Sequence, residues 1–242
     1  MALAQRLDQA LVALGLAPSR ARAQAMLEAG VVTVEGVVTR KPALKIGDQA
    51  VAVTGAANPW VSRAALKLVH ALDHFGLEPQ GVAADLGAST GGFTQVLLAR
   101  GAAQVIAIDV GHGQMHDEVA RDTRVELREG VNARHIGPAD LPRLDWVVSD
   151  LSFISVTKAL GPTLAAARPG AQLVCLVKPQ FEVGPAKVGK GGIVRSEAAR
   201  ANALATVQSW VEGQGWRVDG TTQSPITGGD GNIEYLLSAT RG

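Results

Sequence analysis

Residues Asp85 to Thr94 read D-L-G-A-S-T-G-G-F-T, after the apolar run Val82 to Ala84 and before an apolar-periodic segment carrying Phe93, Val96, Leu97 and Leu98. This order predicts a strand, a glycine turn and a helix start. Glycines at 87, 91 and 92 allow a tight turn and let a ligand approach the backbone without meeting a Cβ, while Asp85 ends the strand at the rim where open α/β sheets bind ligands. A second apolar strand, Gln104 to Asp109, ends in a carboxylate at about the 20-residue spacing at which such folds place the acid that holds a ribose. The glycines run G-x-x-x-G-G from Gly87, not G-x-G-x-x-G, and no Lys-Ser/Thr follows to hold a phosphate and magnesium. An adenosine ligand without phosphate therefore suits the turn, and S-adenosylmethionine is the fitting cofactor. The competing reading is a glycine turn that only packs strand on helix.

Four further residues carry acid–base potential. Asp150 ends W-V-V-S-D, and Lys178 ends L-V-C-L-V-K, where Pro179 stops the strand. Glu234 stands near the start of the last strand, and Lys67 lies on the helix before the first, so both can reach the same rim. A Lys-Asp-Lys-Glu set suits methylation of a ribose 2′-hydroxyl: Lys178 orients the hydroxyl and is the candidate to take its proton, while Asp150 and Glu234 fix the two ammonium groups. No metal is required. Singly, a strand-end Asp or Lys is an ordinary solvated charge; four at matching ends are not.

These side chains need a scaffold. Strands are expected near 82–85, 104–109, 124–128, 145–150, 172–177, 216–219 and 233–239, with a helix over about 62–74. This is α/β: a Rossmann-like, mostly parallel seven-stranded sheet with helices on both faces. The last two strands are joined by the Gly-rich loop Thr227 to Asn232, so the final strand is expected to run antiparallel. Residues 62–242 form this domain, 56–61 a linker, and 1–55 a small α+β domain. In the latter, Leu3, Leu7, Ala10, Leu11 and Leu14 share a helical face that Gly15 ends. Pro18-Ser19 opens a second helix running to Gly30, with Ala23, Met26 and Leu27 inward. Val31 to Val34, the turn Glu35-Gly36, Val37 to Thr39 and Gln49 to Val53 then make a small sheet.

Of 242 residues, 47% are apolar and 19% charged, which suits packed domains and excludes disorder as the default. The single cysteine, Cys175, sits in an apolar run, which excludes a disulfide framework and reads as a buried thiol in a reducing compartment. No stretch approaches the roughly 18 apolar residues of a membrane span, so the cytoplasm is the expected location. Net charge is +1, but residues 1–60 hold six basic residues against four acidic, a mild basic bias at the front. Arg20, Arg22, Arg40 and Lys41 are placed to reach one face, or are scattered solvated cations.

The front segment, with R-L-D-x-x-L, S-R-x-x-A-x-x-x-L-x-x-G-x-V-x-V-x-G and K-P-x-x-x-x-x-G-D, resembles the S4 RNA-binding domain. Glu35 departs from the Asn or Asp often found there, which puts one polar contact in doubt. Taken with S-R-A-A-L-K-L (62–68), D-L-G-A-S-T-G-G-F-T, D-V-G-x-G-Q (109–114), S-D-L-S-F-I-S (149–155), V-K-P-Q-F-E (177–182), G-K-G-G-I-V-R (189–195) and G-N-I-E-Y (231–235), nearly the whole chain resembles the TlyA or hemolysin A family. In that family an S4 domain is joined to an FtsJ-like RNA 2′-O-methyltransferase domain. The resemblance implies the tetrad Lys67, Asp150, Lys178 and Glu234, and cofactor contacts at Gly87, Ser89, Gly91 and Asp109. Asp85, Thr90, Gly92, Phe93, Asn132 and Asp150 complete the expected cofactor set.

The partner it implies is ribosomal RNA or a ribosomal subunit. Expected RNA contacts are Arg6, Arg20, Arg22, Arg40, Lys41 and Arg63, with Lys187, Lys190 and Arg195 in a Gly-rich loop near Lys178. Phe181 and Trp60 either stack on a flipped nucleotide or pack. Gly184 to Lys190 matches part of a nucleotide-binding G-x-x-x-x-G-K, but Gly191 replaces its Ser/Thr, which argues against a nucleotide site. Two other functions compete with the enzyme: a non-catalytic RNA-binding or ribosome-assembly factor, and a membrane-active hemolysin. The tetrad argues against the first, and the want of a spanning or strongly cationic amphipathic helix against the second.

Overall fold

The computed structural model describes residues 5–17, 19–54 and 59–242. The expectations for Leu3, Pro18 and linker residues 56–58 lie outside these. The chain divides into two compact units, Met1–Pro59 and Trp60–Gly242.

The first unit opens with β1 (Gln5–Arg6), α1 (Leu7–Ala13) and α2 (Arg20–Ala29), followed by β2 (Val32–Val34), β3 (Val37–Val38), β4 (Lys45–Ile46) and β5 (Val51–Val53). Ser19 caps α2 through its hydroxyl and Gly30 ends it in the left-handed region. Strands order as β3-β2-β5, with β1 and β4 as a separate antiparallel pair. That pair was not foreseen, because two-residue strands have no periodicity to read. Leu14 is a correction: it lies past the end of α1, at the turn into Gly15, and is 57% exposed, while Leu7, Ala10 and Leu11 are buried as expected. Glu35 and Gly36 both adopt positive φ, giving the tight mirror-image turn of a hairpin. The longer side chain makes a polar contact of its own, since Glu35 Oε1 accepts from the Ala50 amide at 2.5 Å.

The second unit begins with α3 (Ala65–Phe75), β6 (Gly81–Leu86), α4 (Gly92–Ala99), β7 (Ala102–Ile108), α5 (Asp117–Ala120), β8 (Val125–Arg128) and β9 (Leu144–Ser149). It continues with α6 (Val156–Ala159), α7 (Gly161–Ala166), β10 (Ala167–Val177), α8 (Pro179–Glu182), α9 (Glu197–Gly213), β11 (Trp216–Gln223) and β12 (Tyr235–Arg241). The sheet order is β11-β12-β10-β9-β6-β7-β8. β12 runs antiparallel and lies between β10 and β11.

Near-continuous apolar runs make these strands because both sheet faces are covered. Ala84, Leu86, Ile106, Ile108, Val147 and Leu173 fill one face, while Ala83, Val105, Trp146, Val148, Val174 and Leu176 fill the other beneath α3 and α4. Each fully buried aliphatic side chain contributes about 1.5–3 kcal/mol. Cys175 is fully buried in the same core, and burial pushes its thiol up to about 12. After β6 the chain builds outward through β7 and β8; it then returns to place β9 on the other side of β6. The ligand crevice of a doubly wound sheet forms at this reversal.

Candidate active site

Gly87 follows β6 and Asp150 follows β9, so the two loops meet at the reversal. Gly87 has φ +81°, and a Cβ there would come within 2.8 Å of the Asp150 carbonyl oxygen, so glycine is required for conformation and for space. The Asp150 amide donates to the Leu86 carbonyl at 3.0 Å, which closes the junction.

The four expected acid–base residues converge here. Lys178 Nζ lies 2.6 Å from Asp150 Oδ1 and donates to Ser152 Oγ at 2.7 Å. Lys67 Nζ donates to Glu234 Oε2 at 2.7 Å and lies 3.7 Å from Asp150 Oδ2. Asp150 thus bridges two ammonium groups. Lys67, Lys178 and Glu234 are buried, and a buried charge persists only with such partners. Lys67 reaches the set from the first turn of α3, and Glu234 from the residue before β12. Asn232 ties the neighbouring loop down: its Oδ1 accepts from the Val194 amide at 3.0 Å, and its Nδ2 donates to the Gly192 carbonyl at 2.9 Å.

Two cavities open beside the tetrad. The larger, about 620 Å³, is lined by Gly87, Ser89, Asp109, Asn132 and Asp150, with Ile108, Val110, Val131 and Ile154 as apolar wall. The smaller, about 230 Å³, is lined by Ser62, Arg63, Gly87, Ser89, Thr90, Gly92, Phe93, Asp150, Ser152 and Lys178. Asp109 is fixed at the end of β7 because its Oδ2 accepts from the Ser89 amide at 2.8 Å and its Oδ1 from the Gly111 amide at 2.7 Å.

Two expected cofactor residues line neither cavity. Gly91 is the residue before α4, backed by Val119, and Asp85 is fully buried with Thr94 Oγ1 donating to its Oδ2 at 2.6 Å. Desolvation, reinforced by Asp150 and Asp109 and opposed by the Thr94 hydrogen bonds, pushes the Asp85 carboxyl up to about 7. Asp85 thus lies buried beside the start of α4, tied to it through Thr94.

Sequence reasoning missed Ser152, which touches Lys178, and Phe153. The Phe153 ring is 91% exposed at the cavity edge, its φ is +65°, and it lies 5.5 Å from the Phe181 ring. Trp60 packs against the α3–α4 core. The partial nucleotide-binding motif forms short 3₁₀ turns over 185–192 instead of leading into a helix, and Lys187, Lys190 and Arg195 are exposed.

In the first unit Arg6 and Arg20 both bond to Asp8, Arg40 donates to the Glu28 carbonyl at the end of α2, and Lys41 is exposed. Arg22 is half-buried in the first turns of α2.

Comparison with known proteins agrees with this arrangement. The FtsJ-like methyltransferase family matches residues 60–241 and the S4 domain residues 5–51. The chain is 44% identical, over 98% of its length and 90% of the relative's, to the 16S/23S rRNA (cytidine-2′-O)-methyltransferase TlyA of Mycobacterium tuberculosis (strain CDC 1551 / Oshkosh). It is 39% identical, over 96% of its length and 98% of the relative's, to Hemolysin A of Brachyspira hyodysenteriae. A solved structure of a candidate hemolysin from Streptococcus thermophilus, 37% identical, superposes with a TM-score of 0.77, covering 100% of this chain and 90% of that one. Both the domain order and the near full-length identity therefore assign this chain to the TlyA/hemolysin A family, an S4 domain joined to an FtsJ-like methyltransferase domain.

Proposed function

We propose that this protein transfers a methyl group from S-adenosylmethionine to a ribose 2′-hydroxyl of ribosomal RNA. The observation that carries this reading is the Lys67–Asp150–Lys178–Glu234 set at the sheet reversal, opening onto a cavity with a carboxylate at the end of β7. The name of the mycobacterial relative makes cytidine the first nucleotide to test.

The cavity residues suit the cofactor. Asp109, already held by two amides, presents fixed acceptors to ribose hydroxyls, and Ile108, Val110, Val131 and Ile154 offer an apolar wall to adenine. Among the described residues the larger cavity is lined by no lysine and by one arginine, Arg134, which does not suit a pyrophosphate. Bound there, S-adenosylmethionine supplies an electrophilic methyl group on a sulfonium.

The chain's own residues prepare the nucleophile. Lys178 Nζ donates to Ser152 Oγ and is paired by charge with Asp150 Oδ1. As an ammonium, Lys178 donates a further N–H to the ribose oxygen and holds it; as an amine, it offers a lone pair there that takes the hydroxyl proton. Asp150 keeps Nζ in place, and the Lys67–Glu234 pair holds the far carboxylate oxygen, so the geometry is set before substrate arrives. Phe153, exposed beside Lys178's partner Ser152, offers a face on which the extruded base stacks.

Transfer of labelled methyl to purified small and large subunits and to their free RNAs tests this reading, with alkali resistance of the labelled linkage as readout. Label at a resistant linkage is expected. Cofactor binding without transfer to any of the four substrates would overturn it.

A further inference from the structure

Asp8 has no role in the function derived so far. It lies in the first turn of α1, fully buried, yet its carboxylate is ringed by donors. Arg6 donates from Nε to Oδ1 at 3.0 Å and from Nη2 to Oδ2 at 3.1 Å, Arg20 from Nε to Oδ2 at 2.8 Å, and Gln24 from Nε2 to Oδ2 at 3.0 Å. The arginine hydrogen bonds hold the carboxyl well below the usual carboxylate range. Arg20 meets it through Nε alone and Arg6 through Nε and Nη2, so among the described residues both Nη groups of Arg20 and Nη1 of Arg6 have no partner; the Arg6 and Arg20 side chains are 38% and 53% exposed.

We propose that Asp8 is a positioning residue for a phosphate clamp, holding Arg6 and Arg20 as two adjacent fixed forks for backbone phosphates of structured RNA. The proposal rests on the RNA-directed function argued above. Two guanidinium groups repel each other, and each loses side-chain freedom when it grips a phosphate. A shared carboxylate removes both obstacles before RNA arrives.

The stoichiometry separates this from a plain helix tie. One arginine neutralises one carboxylate, and Arg20 with Gln24 already joins α2 to α1. The second arginine, Arg6, leaves the cluster at +1, a surplus that gains only when an anion approaches. The forks are suited to phosphate, which takes two parallel N–H bonds from one guanidinium. Such contacts fix register on RNA and read no bases.

The test is equilibrium binding of the full-length protein to labelled ribosomal RNA, comparing wild type, Asp8→Asn and Arg20→Lys. Counting charge alone, Asp8→Asn should bind more tightly because it removes a negative charge. The clamp predicts the reverse, binding weaker by roughly 10-fold, and a similar loss for Arg20→Lys, which keeps the charge and loses the fork. In methyl transfer, the rise should fall on KM for RNA far more than on kcat. Wild-type affinity or tighter binding by Asp8→Asn would overturn the clamp. If that variant unfolds, Arg20→Lys decides, since Arg20 is exposed, and undiminished binding there overturns the proposal equally. Wild-type binding to RNA without methyl transfer would instead count against the catalytic reading and leave the Asp8 comparison standing.

Discussion

Lys178 is positioned by two neighbours on different bonds, Asp150 by charge and Ser152 by its hydroxyl. Removing the amine should leave the cavity walls intact and remove the group that faces the ribose oxygen. Lys178→Ala is therefore expected to lose about 10²–10⁴-fold in kcat while retaining cofactor binding, measured by single-turnover transfer and by calorimetry. Lys178→Arg should not rescue it, because a planar fork cannot take the compact ammonium's place between two acceptors. Asp85 makes a different prediction. Its carboxyl is pushed up to about 7, so between about pH 4 and pH 7 the folded state holds a proton that the unfolded chain has released. Stability of the cofactor-free protein should fall as pH rises through that window, by on the order of 4 kcal/mol. Asp85→Asn should flatten the change, which urea unfolding at pH 5 and pH 8 will read; an unaltered slope would mean the carboxyl is already ionised in the fold.

The loops after β9 and β10 act as a pair. Lys178 binds Ser152, Phe181 touches Phe153, and Glu182 accepts from Ser155 Oγ at 2.6 Å and from the Val156 amide at 2.9 Å. Burial raises the Glu182 carboxyl above its usual range, and the two hydrogen bonds oppose that. This clasp spans the residues that hold Phe153 at positive φ, a conformation with a cost of about 1–3 kcal/mol that persists only when the surroundings enforce it. Glu182→Ala should free the loop and raise KM for RNA about 10-fold, with cofactor affinity held; steady-state transfer at saturating cofactor checks this, and an unchanged KM would detach Phe153 from substrate binding. The strands, their directions and the places of Asp150 and Lys178 were legible in the sequence because apolar runs mark buried strands and the residue ending each run falls at the rim; Glu234 followed from an antiparallel last strand that starts at that rim, and Lys67 from the helix before the first strand. Ser152, Phe153 and Asp8 were not, because their significance lies in partners distant in the chain and in one backbone angle, neither of which has a period. Asp85 shows the opposite case: a strand-end acid looks alike from sequence whether it faces an open cavity or is buried beneath the turn.

At the scale of the molecule, a net charge of +1 gives no strong overall field to draw RNA in. Attraction must then come from local cations, such as the pair on Asp8 in the first unit and the exposed Lys187, Lys190 and Arg195 in the second. The tetrad is the converse case, two lysines against two acids, neutral in sum and largely withdrawn from solvent. Salt should therefore act on the two steps unequally. Each phosphate neutralised releases counterions and adds about −0.7 to −0.9 to the slope of log affinity against log salt, so engagement of about four phosphates would give a slope near −3. The turnover of bound RNA should hardly respond, because mobile ions screen exposed charges far more than buried pairs. Measuring KM for RNA and kcat between low and physiological salt separates the two. A kcat that falls in step with affinity would put the salt-sensitive contacts at the tetrad itself, whereas a flat kcat beneath a steep KM would mean that RNA is gripped by the local cations and methylated by a site whose charges are already matched.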